Sequence, residues 1–490
     1  MSALLAVLAA LIAWLGFAGV GWWPLAGVGF VPLFVALERA GRARGWRVFW
    51  VGLLFGSVLW GAACHWLVFT LRTFSGLPLP VCLGLALLAF IALGGLYACF
   101  GWLFWRARRR GVPAALAAAA AIAACEWLYP RIFPGYYGAS LHELPLVLQI
   151  AELGGPLALS ALCLAVNGAL YELRTRPRAA AATAACLIAV LAYGAVRMRQ
   201  VEATLRDAPR LRVGIVQPNL GALEKWTDLP ENARRLFEGT RELQESAQPD
   251  LILWPEAAWA VGVPSRLERL SDSMRAKLGT PLLFGSVVRA GTGTRNRVLL
   301  ADEQGEILGI YDKVERMPFS EYLPLADWLP PGLRAHWPGR ASVEAGRDVT
   351  PLPFRGFRIS ALVCLEDILP GFVRRVVREG DPHLLVNLTN DAWFGESDEP
   401  WIHLALAKLR AVEQRRYLVR ATNTGVSAVI DPLGRVAVQS KAFARQNLHA
   451  EVAMLEGSTP YQALGDWPGW LGLGTILWLA FGRREIGATA

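Results

Sequence analysis

The sequence predicts an α-helical membrane bundle of about eight spans joined to one α/β domain. Three observations predict it. Hydrophobic residues make up 54% of the 490 residues and charged residues only 18%, against roughly 25% charged in an average soluble chain. Of the formal net charge of +9, residues 1–200 carry +10 and the rest carry −1. Apolar runs are long in the first 200 residues, and in the remainder they are short and alternate with polar helical stretches. Disordered and collagen-like chains are excluded by this composition. A nucleic-acid domain would keep its basic excess on a soluble face, so no nucleic-acid partner is expected.

No residue before Glu38 is charged. At 1.5 Å per residue this allows two crossings of a hydrocarbon layer ~30 Å thick, with Gly19–Pro24 as the turn. A cleaved signal peptide would begin with a basic stretch, which is missing. Further apolar runs at 48–70, 79–105, 112–128, 146–171, 179–196 and 467–482 bring the expected spans to eight. Arg39, Arg42, Arg44 and Arg47 follow the second, and Arg106, Arg108, Arg109 and Arg110 the fourth. Arg174, Arg176 and Arg178 follow the sixth, and Arg483 and Arg484 the eighth. The alternate loops between spans carry only Arg72 and Arg131. By the positive-inside rule both termini face the cytoplasm. The expected division is residues 1–198 as spans one to seven, 199–466 as an external domain, and 467–490 as span eight with a short tail. Arg197 and Arg199 lie against the rule, which long translocated domains largely escape. Ala-rich runs at 114–124 and 179–185 read as helix packing. Glu152 and Asn167 are polar groups in or near the sixth span.

Strands are expected at Leu211–Val216, Asp250–Trp254, Pro281–Val288, Ile359–Cys364 and Leu384–Leu388. Helices are expected at 229–247, 265–279, 371–379 and 401–416, a hairpin at Arg297–Asp312, and a strand from Tyr417 to Ile430.

Six of the seven cysteines, Cys64, Cys82, Cys99, Cys125, Cys163 and Cys186, fall in expected spans, where Cys is a small apolar residue. Only Cys364 belongs to the external domain, as a buried inert thiol or as one kept for chemistry. No CxxC or Cys/His cluster suggests a metal, and no cofactor is expected. Glu256, Lys313 and Cys364 each close an expected strand, where sites in such sheets gather. A thiol with an ordinary pKa near ~8.5 needs a base or a cation beside it. A carboxylate can take the proton, and an ammonium can stabilise thiolate and oxyanion. Taken singly, Glu256 and Lys313 would read as a surface ion pair. Lys313 stands out because the chain holds five Lys against 44 Arg, and a compact ammonium approaches a reacting carbonyl more closely than a planar guanidinium does.

The words around these residues carry a resemblance. Trp254–Pro255–Glu256, Tyr311–Asp312–Lys313 with Pro318–Phe319–Ser320–Glu321–Tyr322–Leu323–Pro324, and Cys364–Leu365–Glu366 resemble the nitrilase (carbon–nitrogen hydrolase) superfamily. Val216–Gln217–Pro218–Asn219, Lys225–Trp226, Asn387–Gly395 and the eight spans narrow it to the membrane-bound apolipoprotein N-acyltransferase family. The resemblance covers essentially the whole chain. It implies an αββα sandwich on the periplasmic side of the bacterial inner membrane. It also implies transfer of an sn-1 acyl chain from a phospholipid, typically phosphatidylethanolamine, through a thioester on Cys364. The acceptor would be the α-amino group of a diacylglyceryl-cysteine at an apolipoprotein N-terminus. In that scheme Glu256 is the proton acceptor, and Lys313 with the backbone N–H of Leu365 holds the oxyanion. Glu321, Glu366 and Asn296 support them, and Trp226 and Trp393 meet substrate. Two residues depart from the family's pattern: Leu365 replaces a common Tyr, and Ser320 a common Gly.

Trp226, Trp259, Trp393 and Trp401 lie in or beside expected loops, either lining an acyl-chain entrance or packing. A Cys–His dyad using His336, His383 or His403 is the rival catalytic scheme. Leu329–Pro330–Pro331–Gly332 reads as a surface loop that could cover a site. A membrane-tethered amidase or nitrilase-type hydrolase, with water as acceptor, is the alternative function.

Overall fold

The computed structural model describes residues 1–221, 223–291, 293–324, 328 and 343–482. Leu329–Gly332, His336, Arg483 and Arg484 lie outside them. The chain forms two compact units: Met1–Val68, Leu77–Arg197 and Leu464–Ala490 make one, and Phe69–Gly76 with Met198–Ala463 make the other.

The first unit is helical. Among the described residues, five stretches are long and apolar enough to cross a membrane: Trp23–Ala43, Trp46–Ala63, Leu79–Arg108, Ala151–Tyr171 and Pro177–Asp207. Ser2–Leu15, Ala114–Leu128 and Trp467–Phe481 are apolar but shorter, so five of the eight expected spans reach full crossing length and three do not. Fifteen helical residues rise only about 22 Å. Backbone punctuation stops them: Ala114–Leu128 starts after Pro113 and ends where Tyr129 precedes Pro130, and a residue before proline is driven out of the helical region. The run 48–70 likewise breaks at Cys64–His65 into Trp46–Ala63 and Trp66–Ser75. Ala151–Tyr171 bends at Gly154–Gly155 before Pro156, where Gly155 takes φ +62°. Leu83, Leu85, Leu87, Leu88 and Ile188 are exposed, a surface suited to hydrocarbon. Asn167 is buried and accounted for locally: it donates to the Ala26 and Cys163 carbonyls and accepts from Phe30 N–H. Glu152 is paired with Arg197 and Tyr193.

The second unit holds two six-stranded sheets. Its strands are β1 (Arg210–Gln217), β2 (Leu251–Val263), β3 (Leu282–Ala290), β4 (Gly293–Ala301), β5 (Ile307–Asp312), β6 (Leu352–Phe354), β7 (Phe357–Val363), β8 (Leu384–Thr389), β9 (Tyr417–Thr422), β10 (Ala428–Ile430), β11 (Val436–Gln439) and β12 (Gln446–Ala453). The orders are β12-β1-β2-β3-β4-β5 and β11-β10-β9-β8-β7-β6. Central pairs β1–β2, β2–β3, β7–β8 and β8–β9 are parallel, as near-continuous runs such as Leu251–Trp254 and Leu384–Leu388 require when both faces are covered. Inner faces meet through Val213, Ile215, Leu253 and Leu300 from one sheet and Ile359, Ala361, Val386 and Val419 from the other. Helix Leu229–Ser246 covers the first sheet with Leu236 and Leu243. Pro370–Gly380 and Glu399–Gln414 cover the second with Phe372, Val376, Leu404 and Ala407. The result is four layers, helix–sheet–sheet–helix.

Three local expectations are corrected. The helix at 265–279 shrinks to Asp272–Arg275. Residues before it run along the β4–β5 turn, with Leu270 N–H donating to Gly305 O and Ile307 N–H to Glu268 O. The stretch Tyr417–Ile430 is two antiparallel strands, not one. β6, β11 and β12 escape the sequence reading because all three are sheet edges, and β6 and β11 are only three and four residues long.

Candidate active site

Glu256 sits on a bulge. β2 pairs with β3 in register up to Trp254–Phe284 and resumes at Trp259–Ser286, so four residues of β2 stand against Gly285 alone. A Cβ at Gly285 would lie 2.5 Å from Ala257 N and 2.8 Å from Glu256 Cα. Glycine therefore makes room for the bulge, and Ala257 takes the left-handed turn with φ +48°. The Glu256 side chain is buried. Asn296 Nδ2 donates to its Oε1 at 2.7 Å, and Oε2 has no hydrogen-bond partner among the described residues. Burial raises its pKa, against the opposing pull of Lys313 and Lys225.

Lys313 follows the last residue of β5. Its N–H donates to Asn296 O and its carbonyl accepts from Gly346 N–H. One residue back, Asp312 is clamped by two bonds from Arg297, at 2.6 and 2.8 Å. The buried ammonium donates to Glu321 Oε1 at 2.8 Å and stands 4.0 Å from Glu256 Oε1. Burial works against its charge, but Glu321, Cys364 and Glu256 outweigh it and hold the pKa above the ordinary value. Glu321 also accepts from Met317 N–H. In that turn the left-handed residue is Phe319, φ +66°, and not Ser320. The Ser320 departure thus costs no backbone strain.

Cys364 follows β7 with φ +54°, unusual for a non-glycine residue and stable only where the surroundings over-determine it. The short 3-10 turn Cys364–Ile368 begins there. Asn387 Nδ2 donates to Cys364 O at 3.0 Å, and Val363 N–H donates to Glu366 Oε2 at 2.7 Å. Fully buried Glu366 also accepts from Tyr311 Oη, Val314 N–H and Glu315 N–H. One carboxylate thus ties the cysteine turn to the strand end that carries Lys313. Burial raises Glu366 to about 7, against those donors and Lys313. Burial, then the Glu256 charge, pushes the Cys364 thiol up, with Lys313 opposing them.

Glu256 does not close its strand as expected, since β2 runs on to Val263. Residues from the β2 bulge, from β4, from the turns after β5 and β7, and from two sheets therefore meet: Glu256, Asn296, Lys313, Glu321, Cys364 and Glu366. Leu365 is buried beside them. Trp226 is 40% exposed on the one-turn helix Glu224–Thr227. Trp393 packs its ring on Phe74 with centroids 4.1 Å apart, and Thr70 Oγ1 donates to its carbonyl. Trp259 packs among Trp254 and Phe237, and Trp401 against the second sheet's helix-facing core.

Comparisons with known proteins identify the family. A family model described as carbon-nitrogen hydrolase matches residues 212–458, and one described as apolipoprotein N-acyltransferase N-terminal domain matches residues 9–169. An apolipoprotein N-acyltransferase of Geobacter metallireducens is 31% identical over 511 aligned positions, covering 99% of this chain and 96% of that protein. Another, of Azotobacter vinelandii, is 32% identical and covers 98% of this chain and 95% of that one. The chain belongs to the apolipoprotein N-acyltransferase family. Among solved structures, an amidase from Nesterenkonia sp. is 24% identical, covering 50% of this chain and 90% of that one, with a TM-score of 0.37. The family's carbon–nitrogen hydrolase part takes in both sheets, from β1 to β12.

Sequence reasoning quoted Lys225 without giving it a role, and gave His403 only that of the rival dyad. Lys225 is buried in the site, its Nζ donating to the Glu256 carbonyl at 3.4 Å. The scarcity of lysine that singled out Lys313 applied to Lys225 as well. His403 belongs to an ionic group behind the cysteine turn. His403 Nε2 contacts Asp367 at 2.7 Å and its Nδ1 contacts Asp391 at 3.2 Å, while Arg420 pairs with Asp367 and faces Asp391 at 3.8 Å. Gly425 allows this, since a Cβ there would lie 1.9 Å from Asp391 Oδ2. Burial and Arg420 oppose charge on His403, but Asp367 and Asp391 outweigh them and raise it to about 10. An imidazolium this stable is no general base. His383 is engaged elsewhere, by Arg358 N–H and Glu456. The rival dyad is left without a partner among the described residues. Asp391, Glu399 and His403 also present ligand-type atoms within 4.8 Å of one another, but a protonated His403 and the Arg420 guanidinium oppose a metal ion there.

Proposed function

We propose that this protein transfers an acyl chain from the sn-1 position of a phospholipid, phosphatidylethanolamine, to the α-amino group of an apolipoprotein's N-terminal diacylglyceryl-cysteine. The observation that carries the reading is the meeting of Glu256, Lys313 and Cys364 in a chain that aligns over nearly its whole length with relatives named for this reaction. In the first half-reaction Glu256 takes the proton of Cys364 Sγ, and the sulfur attacks the ester carbonyl. Lys313 and the backbone N–H of Leu365 hold the oxyanion. The ester C–O bond breaks, the proton passes from Glu256 to the leaving alkoxide, and lysophospholipid departs. In the second, the amine attacks the thioester carbonyl and gives a proton to Glu256, the C–S bond breaks, and Glu256 returns that proton to Cys364 Sγ as the amide leaves. Glu321 and Glu366 hold Lys313 and the cysteine turn, and Asn296 orients Glu256. Trp226 and Trp393 contact substrate.

The three shorter apolar helices join the five long ones as crossings, eight in all, placing residues 199–466 on the periplasmic side of the inner membrane. The arginine distribution supports this topology. Purified protein exposed to phosphatidylethanolamine is expected to gain the mass of one acyl chain at Cys364, absent in Cys364→Ser. A labelled diacylglyceryl-peptide is expected to discharge it faster than water does. Hydrolysis with no transfer would overturn the reading.

A further inference from the structure

The three charges that act most strongly on Cys364 are those of Glu256, Lys313 and Glu321. Their sum is −1. Lys313 is not a free cation, because Glu321 takes a 2.8 Å bond from it and Glu256 stands 4.0 Å away. Proton transfer from Sγ to Glu256 moves negative charge onto sulfur and then onto the tetrahedral oxygen, and the sum stays −1 throughout. Building an oxyanion inside a buried, net-negative cluster is opposed by every like charge near it.

Lys225 changes that balance. It is 4% exposed, and a buried ammonium is costly unless something needs its charge. Among the described residues its Nζ has one acceptor, the Glu256 carbonyl at 3.4 Å, and lies 5.2 Å from the centre of the Trp226 ring. The charges acting on it are those of Glu256 and Cys364. No carboxylate bonds to it, in contrast to Lys313. Asp391, the other acid acting on Cys364, is matched by His403 and Arg420.

We infer that Lys225 is the charge-compensating residue of the nucleophile: anchored on the Glu256 backbone, its ammonium offsets the negative charge that forms on Cys364 Sγ and on the tetrahedral oxygen. With it the cluster sums to zero before and after proton transfer. Burial brings its own titration down to about 8, against the pull of Glu256 and Cys364, so it is charged at neutral pH. The inference rests on Cys364 as nucleophile.

The test is alkylation of Cys364 by iodoacetamide across pH in the full-length, detergent-solubilised protein, read by mass spectrometry of the Cys364 peptide. Lys225→Met keeps the apolar stem and removes the charge. Its alkylation midpoint is expected about one pH unit higher than wild type, with about tenfold slower reaction at pH 7 and an unchanged melting temperature. Lys225→Arg is expected to react close to wild type. Superimposable profiles for Lys225→Met and wild type would overturn the inference, and so would a folded Lys225→Arg as slow as the Met variant. Should Lys225→Met not fold, the Arg variant decides alone by the same criterion. Alkylation needs neither lipid nor lipoprotein, and wild-type loading by phosphatidylethanolamine is measured beside it. A flat Lys225 result with normal acyl-enzyme formation strikes this inference only, while absent loading strikes the acyltransfer reading.

Discussion

The two sheets of the catalytic unit contribute unequally to one site. The first supplies Glu256, Asn296 and Lys313, and leaves their polar atoms partly uncommitted: Glu256 Oε2 and Asn296 Oδ1 are buried without hydrogen-bond partners among the described residues. The second supplies Cys364 and surrounds its turn with paired charges, Asp367 and Asp391 against His403 and Arg420. Unpartnered buried polar atoms cost stability but are free to exchange a proton or meet a substrate. Paired buried charges are committed to one another, and here they lie behind a turn whose cysteine stands at φ +54°. The first sheet contributes a carboxylate and an ammonium with uncommitted neighbours, and the second contributes the thiol on a turn backed by paired charges.

Substitutions can break or sharpen this contrast. The largest loss is expected for Cys364→Ser, roughly ten-thousand-fold or more in acyl transfer, with unfolding unchanged. On the reactive side Glu256→Gln is expected to lower transfer by about 10²–10⁴-fold at wild-type melting temperature. A destabilised but active Glu256→Gln would break the division. On the supporting side the order reverses. His403→Phe strands Asp367 and Asp391 against Arg420 alone and is expected to cost about 3–5 kcal/mol in denaturant unfolding. The same residue gives a pH signature. Its pKa rises from an unfolded value near ~6.5 to about 10 in the fold, so its stabilisation is complete below the first and lost as pH climbs toward the second. Glu399, raised to about 8 by burial and Asp391, weakens the fold in the same direction from its ordinary range upward. Melting temperature measured from pH 6.5 to 10 is expected to fall for wild type and more shallowly for His403→Phe. The smallest structural effect is expected at Trp226→Ala, which slows acyl transfer while moving the melting temperature by only about 1–2 °C. An equal loss of both would make Trp226 a packing residue.

Legibility followed the range of the interaction. Glu256, Lys313 and Cys364 could be read as strand-closing residues because an apolar run ending in one polar group is a local pattern. The spans were legible as hydropathy, but their ends were not. Pro113, Tyr129–Pro130 and Gly154–Gly155 shorten or bend helices that the apolar runs alone extend. The 265–279 segment failed for a related reason: its backbone finds partners in the β4–β5 turn, a competitor invisible to helical periodicity.

Gln217 draws the boundary most clearly. In sequence it is one letter of a recognisable word. In the fold it accepts from Ser427 and Ser440 and donates to the Lys441 and Ala444 carbonyls, tying the end of β1 to the opposite sheet. By itself the sequence determined that the chain has an apolar helical part and an α/β part, and which residue types close the strands, because hydropathy and strand pattern are short-range properties. Only the tertiary structure decided that Lys313 is spent on Glu321, that Lys225 is the buried cation left over, and that Arg420 and His403 brace the cysteine from behind. The sign and partner of a buried charge depend on what is packed within a few ångströms, and those neighbours come from distant parts of the chain.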